Sequence, residues 1–329
     1  MATGRIGLWL IGAKGGVATT VMTGLAAMKR GLVEPIGLIT ETSAFHPLNL
    51  AHCSDIVVGG HDIRDESLLN EARRMWTVSR AISPDILESI MPDLQEIEAR
   101  IRSGTVLAAG RSIQAIASSP GSEKGTTPRN IIDRIRKDIV DFATANEIDR
   151  VIVVNLASTE PPWSSPIPED FEEIAPLLKQ TTDSSPLPTS SLYAIAAFEA
   201  DAAYINFTPS TGATPPALNK LAQNRGLPHA GCDGKTGETL LKSVLAPMFR
   251  DRHLNVQSWV GHNIFGNLDG KILDDPSNKA AKVRSKDHLL ASLLPSTPQT
   301  LVSIEFIESL GDWKTAWDHI HFQGFLGTP

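Results

Sequence analysis

The feature that most constrains the fold is a short apolar strand followed at once by glycines and a helix. Residues Ile6 to Ile11 are apolar, three glycines fall within Gly12 to Gly16, and Val17 to Arg30 has helix-forming composition. Pro35 to Thr40 is predicted as a second buried strand that closes a β-α-β unit. Such a unit predicts a parallel, doubly wound α/β sheet.

Predicted strands and helices alternate along the rest of the chain, which is typical of an α/β fold. Strands are predicted at 55–58, 150–155, 204–207, 255–259 and 300–308, and helices at 65–79, 84–102, 129–146 and 236–250. The Ser, Thr and Pro residues of 181–190 predict an exposed loop. Helices give way to strands near residue 250, so we place a domain boundary there.

Composition narrows the classes of function. The 329 residues are 41% hydrophobic and carry a formal net charge of -7, which gives room for about two domains and argues against nucleic acid as the main partner. Cys53 and Cys232 are the only cysteines, so neither a disulfide framework nor a cysteine-based zinc site is expected. Since no stretch reaches the roughly 18 apolar residues of a membrane helix, we expect a cytoplasmic protein without a membrane partner.

The glycines after the first strand indicate a phosphate-binding turn. Where glycines stand, backbone amides can approach a pyrophosphate closely, and the following helix N-terminus adds a partial positive charge. Gly12, Gly15 and Gly16 fit this role, although two positions of the usual motif lack glycine. The motif favours a nucleotide site over a plain tight turn, and by itself it places the ribose-binding acid at Glu41.

Two further sets of residues are candidates for ligand contacts. Polar loops at 155–160, 206–210 and 231–237 follow predicted strands, and ligands bind at the carboxyl ends of strands in open α/β sheets. Ser and Thr also cap helices, so each loop alone favours a structural role. Cations that could hold a phosphate, or act as bases when desolvated, are Lys235, Lys242, Lys282, Arg284, Lys286 and Lys314.

Several of these segments, in this order, resemble the myo-inositol-1-phosphate synthase family. Gly59 to Ile63 is similar to the family's Gly-Trp-Asp-Ile, 155–160 to its Thr-Ala-Asn-Thr-Glu loop, and 204–209 to its Tyr-Ile-Asn-Gly-Ser-Pro segment. Asp233 to Ser243 resembles Asp-Leu-Lys-Ser-Gly-Gln-Thr-Lys-Leu-Lys-Ser. Active-site motifs of the family are similar to 263–270, 284–286 and 311–314.

The resemblance implies a Rossmann-like NAD-binding domain over 1–250 and an inserted α/β catalytic and oligomerisation domain over 251–329. It implies an isomerase of inositol and phospholipid biosynthesis that converts D-glucose 6-phosphate to 1D-myo-inositol 3-phosphate. In that scheme NAD+ takes hydride from C5, the C6 enolate attacks the C1 aldehyde, and the hydride then returns. Tightly bound NAD is regenerated in each turnover, and the family resemblance suggests a homotetramer.

The resemblance also assigns residues. The catalytic set is Lys286 and Lys314, with Asp312, Asn267 and Lys235. Cations beside the substrate oxygens suit an enolisation, in which negative charge grows on oxygen. The cofactor set is Gly12, Gly15, Gly16, Thr19, Thr20, Asp62, Ala157, Ser158, Thr159, Asp233, Thr236 and Asp269. Here Asp62 replaces Glu41 as the ribose acid, because the whole 60–63 segment matches.

The chain departs from the family at two polar positions and at its end. Leu290 stands where the family has a second lysine and Leu268 where it has an asparagine, with Lys282 as a candidate substitute ammonium. The family continues well beyond the segment matching 311–320, so we expect a fragment of a longer protein, the alternative being a truncated and inactive one. A related cyclase for another sugar phosphate and a non-catalytic NAD-binding protein stay open, as does a divalent cation at the substrate phosphate.

Overall fold

The computed structural model describes residues 4–119, 125–180, 185–234, 237–274 and 289–328. The chain forms two compact units. The first comprises Met1–Ala157 and Trp163–Cys232, and the second comprises Ser158–Pro162 and Asp233–Pro329. The units therefore divide after Cys232, earlier in the chain than the predicted boundary near residue 250.

A parallel sheet forms the centre of the first unit. Its strands are β1 (Ile6–Ile11), β2 (Ile56–Asp62), β3 (Ile101–Ser103), β4 (Arg150–Asn155), β5 (Ala203–Asn206) and β6 (His229–Ala230). They lie in the order β3-β2-β1-β4-β5-β6, and every neighbouring pair is parallel. The chain reverses its winding direction between β1 and β4, which is where doubly wound sheets bind ligands. The predicted α/β class with a doubly wound parallel sheet is confirmed.

Helices cover both faces of this sheet. They are α1 (Gly16–Lys29), α2 (Leu68–Ser79), α3 (Pro84–Glu98), α4 (Arg111–Gln114), α5 (Pro128–Ala145), α6 (Phe171–Leu177), α7 (Thr189–Glu199) and α8 (Pro216–Asn224). Leu10 packs in an apolar cluster with Met22 of α1, whereas its neighbour Trp9 packs in a second cluster with Ile135 of α5. Adjacent strand residues point to opposite faces, so β1 is buried from both sides.

The start of a helix is well predicted where a capping residue stands directly before a proline. Thr127 accepts a hydrogen bond from the backbone N of Asn130 at 3.2 Å, directly before Pro128. A hydroxyl cap satisfies a free helix N–H, and proline suits the first helical position because its missing N–H costs nothing there. The helix predicted at 129–146 is confirmed on this basis.

The predicted strand at 35–40 is wrong. This segment forms a turn and a short 3-10 helix, Ile39–Glu41, in which Ile36 is 91% exposed and Ile39 is 69% exposed. The place beside β1 belongs instead to β2, which extends further than its predicted 55–58. Glu41 is consequently an exposed residue at the end of a 3-10 helix and follows no strand of the sheet, whereas Asp62 is the last residue of β2.

The predicted exposed loop at 181–190 is also wrong over its described part. Residues 185 and 187–190 are buried, and α7 is buried from Thr189 to Phe198. Its hydroxyls are satisfied inside the protein: Ser190 Oγ accepts from Gly212 N at 2.9 Å, and Ser191 Oγ donates to Gly212 O at 2.7 Å. Buried hydroxyls are tolerated where such bonds exist, so polar composition did not imply exposure.

The second unit is built on a mixed three-stranded sheet. Central β7 (Asn255–Phe265) pairs in parallel with β8 (Gln299–Phe306) and antiparallel with β9 (Lys314–Gln323). Helix α9 (Gly237–Asp251) packs on one face, where Phe249 contacts the buried ring of Trp259 edge-on at 6.0 Å. A short helix, α10 (Leu268–Leu273), follows β7. The strands predicted at 255–259 and 300–308 are present, and β9 was not predicted.

Candidate functional site

The glycine turn of the first unit brings two chain segments into very close contact. Gly12 has φ +78°, and a Cβ placed on it would lie 2.9 Å from the Cα of Ala157. Only glycine fits a left-handed conformation at this separation. The turn after β1 and the segment after β4 therefore meet at the point where the strand order reverses.

The turn is anchored to the end of β2 by its own amides. The backbone O of His61 accepts from Gly12 N at 2.9 Å and from Ala13 N at 3.0 Å, and Asp62 Oδ2 accepts from Lys14 N at 2.6 Å. Gly15 N donates to Gly12 O at 2.9 Å. The N–H groups left for a ligand are those of the first turn of α1, at Gly16 and the two residues after it, because an α-helix gives them no internal acceptor. They form a ready anion site.

The two threonines of α1 differ in exposure and in hydrogen bonding. Thr19 is fully buried, and among the described residues its Oγ1 has no hydrogen-bond partner. Thr20 is exposed, and its hydroxyl donates to Gly16 O at 2.9 Å. Of the two, only Thr20 lies at the surface. The pyrophosphate contacts of both side chains stay predictions.

Asp62 is held in place by an arginine that sequence reasoning missed. The carboxylate is 7% exposed, and its Oδ1 accepts from Arg64 N at 2.8 Å and lies 3.5 Å from Arg64 Nε. Arg64 Nη2 also donates to Lys14 O. A carboxylate accepts about four hydrogen bonds, so Asp62 retains capacity for ribose hydroxyls. These residues fit the nucleoside end of a dinucleotide.

Beneath Asp62, the side chain of His61 is fully buried in a polar network that the sequence did not indicate. Trp9 Nε1 donates to His61 Nδ1 at 2.9 Å, and His61 Nε2 lies 3.0 Å from Asp138 Oδ2. Burial lowers the pKa of His61 from 6.5, although the Asp138 carboxylate opposes that shift. The imidazole is thus a neutral spacer between β1, β2 and α5.

The carboxyl ends of β4 and β5 are tied together by buried amides. Asn155 Nδ2 donates to Asn206 Oδ1 at 3.2 Å and to Thr208 Oγ1 at 3.3 Å, while Asn155 Oδ1 accepts from Ala157 N at 3.2 Å. These polar loop residues are used up in mutual hydrogen bonds. In this structure they tie together the carboxyl ends of β4 and β5.

Other predicted cofactor residues belong to the second unit. Thr159 is buried there, and Ser158 and Asp233 are half-buried. Asp269 lies in α10. Their contacts with a cofactor stay predictions.

In the second unit, Asn267 and Asp312 come from two loops that touch. A Cβ placed on Gly266 would lie 2.5 Å from Gly311 O, and Gly266 N donates to Trp313 O at 3.0 Å. Asn267 Oδ1 accepts from Gly270 N at 2.9 Å, which makes it the N-cap of α10. The structure therefore gives Asn267 a clear positioning role, and the two glycines allow the close approach.

Lys314 places a positive charge at the edge of the sheet where β7 ends and β9 begins. As the first residue of β9 it pairs with Phe265, the last residue of β7, and its Nζ lies 4.6 Å from the centre of the Phe265 ring. A Cβ placed on Gly237, where α9 begins, would lie 3.5 Å from the same Nζ. An ammonium and a helix N-terminus both favour negative charge, so this edge suits an anionic substrate or an oxyanion.

A buried ion pair lies next to this edge. Lys242 Nζ lies 2.6 Å from Glu238 Oε1, and both side chains are 0% exposed. Asn263 Nδ2 of β7 donates to Glu238 Oε2. A Cβ placed on Gly261 would clash with Glu238 Oε1. The pair therefore fixes the first turns of α9 against β7, and Lys242 is a core residue.

Some predicted positions lie outside the described residues, namely Lys235, Thr236, Lys282, Arg284 and Lys286. Of the two departures from the family, Leu290 is fully buried in an apolar cluster with Trp259 and Phe249. Leu268 is 36% exposed as the first residue of α10. Leu290 thus acts as core in this chain.

Two negative findings concern the described residues only. They include no group of three or more His, Cys, Asp or Glu side chains arranged to hold a metal ion. No helix among them is long and apolar enough to cross a membrane.

Known proteins resemble this chain over almost its whole length. A family model named as NAD-binding and described as myo-inositol-1-phosphate synthase matches residues 6–295. Inositol-3-phosphate synthase 1 of Bacteroides thetaiotaomicron is 32% identical over 100% of this chain and 79% of its own length. The corresponding enzyme of Dictyostelium discoideum is 28% identical over 98% of this chain and 68% of its own length.

Solved structures share the fold. Inositol-3-phosphate synthase from Caenorhabditis elegans superposes with a TM-score of 0.83 at 24% identity, covering 99% of this chain and 69% of that one. A myo-inositol-1-phosphate synthase-related protein from Thermotoga maritima gives 0.75 at 24% identity, covering 98% and 80%. The family model and the bacterial relative establish that the chain belongs to the NAD-binding myo-inositol-1-phosphate synthase family.

Proposed function

We propose that this chain catalyses the reaction of the inositol-3-phosphate synthases, converting D-glucose 6-phosphate to 1D-myo-inositol 3-phosphate. Lys314 carries the proposal, because its ammonium lies at the start of α9 and follows Asp312 on the same edge. NAD, when bound, supplies a hydride acceptor and then a hydride donor. Holding it is the task of the α1 amides, Asp62 and the segment at Ala157.

The role of Lys314 follows from the charge that the reaction creates. A proton must leave carbon beside a carbonyl, and negative charge then grows on the carbonyl oxygen. A fixed ammonium stabilises that charge, and removing one such group typically costs about a hundredfold or more in turnover. Lys314 is exposed, and its ammonium lies over the Phe265 ring, whose negative face attracts the cation and helps to keep it at this edge. Lys286 and Lys235 are proposed as its catalytic partners.

The first experiment measures inositol phosphate formed from D-glucose 6-phosphate with catalytic NAD+. Lys314→Gln should lower turnover about a hundredfold or more with an unchanged Kd for NAD. Lys271→Gln, at an exposed lysine of α10, is the matched control and should retain turnover. Turnover of another sugar phosphate instead would establish a related cyclase. NAD binding without turnover of any sugar phosphate would establish a non-catalytic protein.

We also propose a homotetramer that assembles through the second face of the three-stranded sheet. Opposite α9, this face presents Leu301 at 56% exposure, beside Val260 of β7, and Trp317 at 50%, beside His262 of β7. Exposed large hydrophobic side chains on one face of a sheet are typical of an interface. Light scattering should show a tetramer for the wild type and smaller species for Trp317→Glu. Val140→Glu, on an exposed position of α5, should leave assembly unchanged.

A further inference from the structure

We propose that His61 is a positioning residue for NAD, whose neutral imidazole fixes the backbone carbonyl that anchors the glycine turn. The inference rests on NAD binding at that turn, as proposed above. It assigns a task to a buried side chain that does not itself reach the cofactor.

The backbone of His61 controls the turn directly. Its carbonyl accepts the N–H groups of Gly12 and Ala13, and the next residue, Asp62, accepts that of Lys14. Three successive amides of the turn are therefore bonded to two consecutive residues of β2. A rotation of the peptide unit at His61 would break the bonds of Gly12 and Ala13 and displace the turn that leads into the N-terminus of α1.

The side chain of His61 restrains that peptide unit through its own hydrogen bonds to Trp9 and Asp138. The indole N–H of Trp9 can only donate, so Nδ1 of His61 is the acceptor and Nε2 carries the proton that faces Asp138. Gly59 makes room for this arrangement, because a Cβ there would lie 2.9 Å from the Trp9 ring. The geometry thus selects one neutral tautomer.

A second proton has no place in this arrangement. It would have to enter at Nδ1, where the indole N–H of Trp9 already points, so protonation breaks the bond and expels the ring from its position. The charged groups around the imidazole are Asp138 and Arg134 of α5 and Arg102 of β3, and the Tyr193 ring of α7 lies 5.6 Å away. The Asp138 carboxylate favours the protonated form, while burial and the two arginines oppose it.

The consequence is a pH dependence of NAD affinity that belongs to one buried residue. Once the pH falls below the pKa of His61 in the NAD-free chain, the Kd for NAD should rise by up to about tenfold per pH unit. His61→Gln should abolish this rise, because Gln stays neutral, can accept from Trp9 and can donate to Asp138. Asp138→Asn should move the rise to lower pH, since the carboxylate that favours the second proton is gone.

The test is isothermal titration of the intact chain with NAD from pH 8.5 to 4.5, with circular dichroism at each pH to verify folding. Asp141→Asn removes the same charge from an exposed position of α5 and should follow the wild type. A common pH dependence for the wild type and His61→Gln would overturn the inference, as would an Asp138→Asn curve displaced to higher pH. If the wild type binds no NAD at pH 8, the proposed function itself fails, and this inference with it.

Discussion

The buried ion pair of the second unit gives a sharp prediction. Replacing Lys242 by Met leaves the Glu238 carboxylate without its cation in a position where neither side chain is exposed. Removing one partner of a buried pair costs about 3–5 kcal/mol, because the remaining charge must stay out of water. We therefore expect Lys242→Met to lower the free energy of unfolding by that amount, and Tm by roughly 10 °C.

A second variant separates charge pairing from packing. Lys242→Met combined with Glu238→Gln removes both charges, and the Gln side chain can still accept from Asn263. The double variant should recover all but about 1 kcal/mol, since apolar replacement of a buried pair is often nearly neutral. Lys220→Met breaks an equally short pair with Asp170 that is exposed, so it should behave like the wild type.

Urea denaturation of all four proteins is the appropriate assay. Equal destabilisation of the single and double variants would refute the reasoning, because the loss would then come from the lysine stem and its packing. A single variant as stable as the wild type would refute it too, since it would mean that water reaches Glu238.

Three further predictions concern the first unit. Gly12→Ala should lose about 2 kcal/mol of stability or more, because of its positive φ and its close contact with Ala157, and it should weaken NAD binding in a calorimetric titration. Gly31→Ala has a similar φ without a neighbour within 4 Å, so it should retain NAD affinity. Thr19→Val should raise the free energy of unfolding by about 1 kcal/mol, because it removes a buried hydroxyl without a partner among the described residues; a decrease would show that the hydroxyl is satisfied. Because the pKa of His61 is lowered below 6.5 in the folded chain, the unfolded chain takes up the proton first, so this part of the stability should be present above pH 6.5 and be lost as pH falls below it. Urea titrations at pH 7.5 and 5.5 should show a smaller change for His61→Gln.

The part of the site that sequence predicts is the part set by local backbone chemistry. Gly12 and its neighbours predict a turn because glycine readily adopts its positive φ. The motif by itself placed the ribose acid at Glu41, and Asp62 was assigned only through the resemblance of the surrounding segment to the family. The prediction of a strand at 35–40 was wrong because an apolar run does not indicate which segment pairs with β1. That choice belongs to β2, which lies more than 15 residues further along the chain.

What sequence does not predict are contacts between distant residues. Trp9, His61 and Asp138 meet from three elements, and nothing in their spacing announces it. Glu238 and Lys242 are one helical turn apart, which is also the pattern of a solvent-facing pair. Only the packing of α9 on β7 makes that pair a core feature, so its role became visible with the tertiary structure.

The internal bonding of the glycine turn has a consequence for kinetics. All four backbone N–H groups from Gly12 to Gly15 are hydrogen-bonded within the protein. The loop therefore loses its conformational entropy during folding, and NAD binding carries no further entropic cost for ordering it. NAD therefore meets a rigid receptor at this end. Association should follow a single phase whose rate is linear in NAD concentration, without the plateau that a loop-closure step imposes.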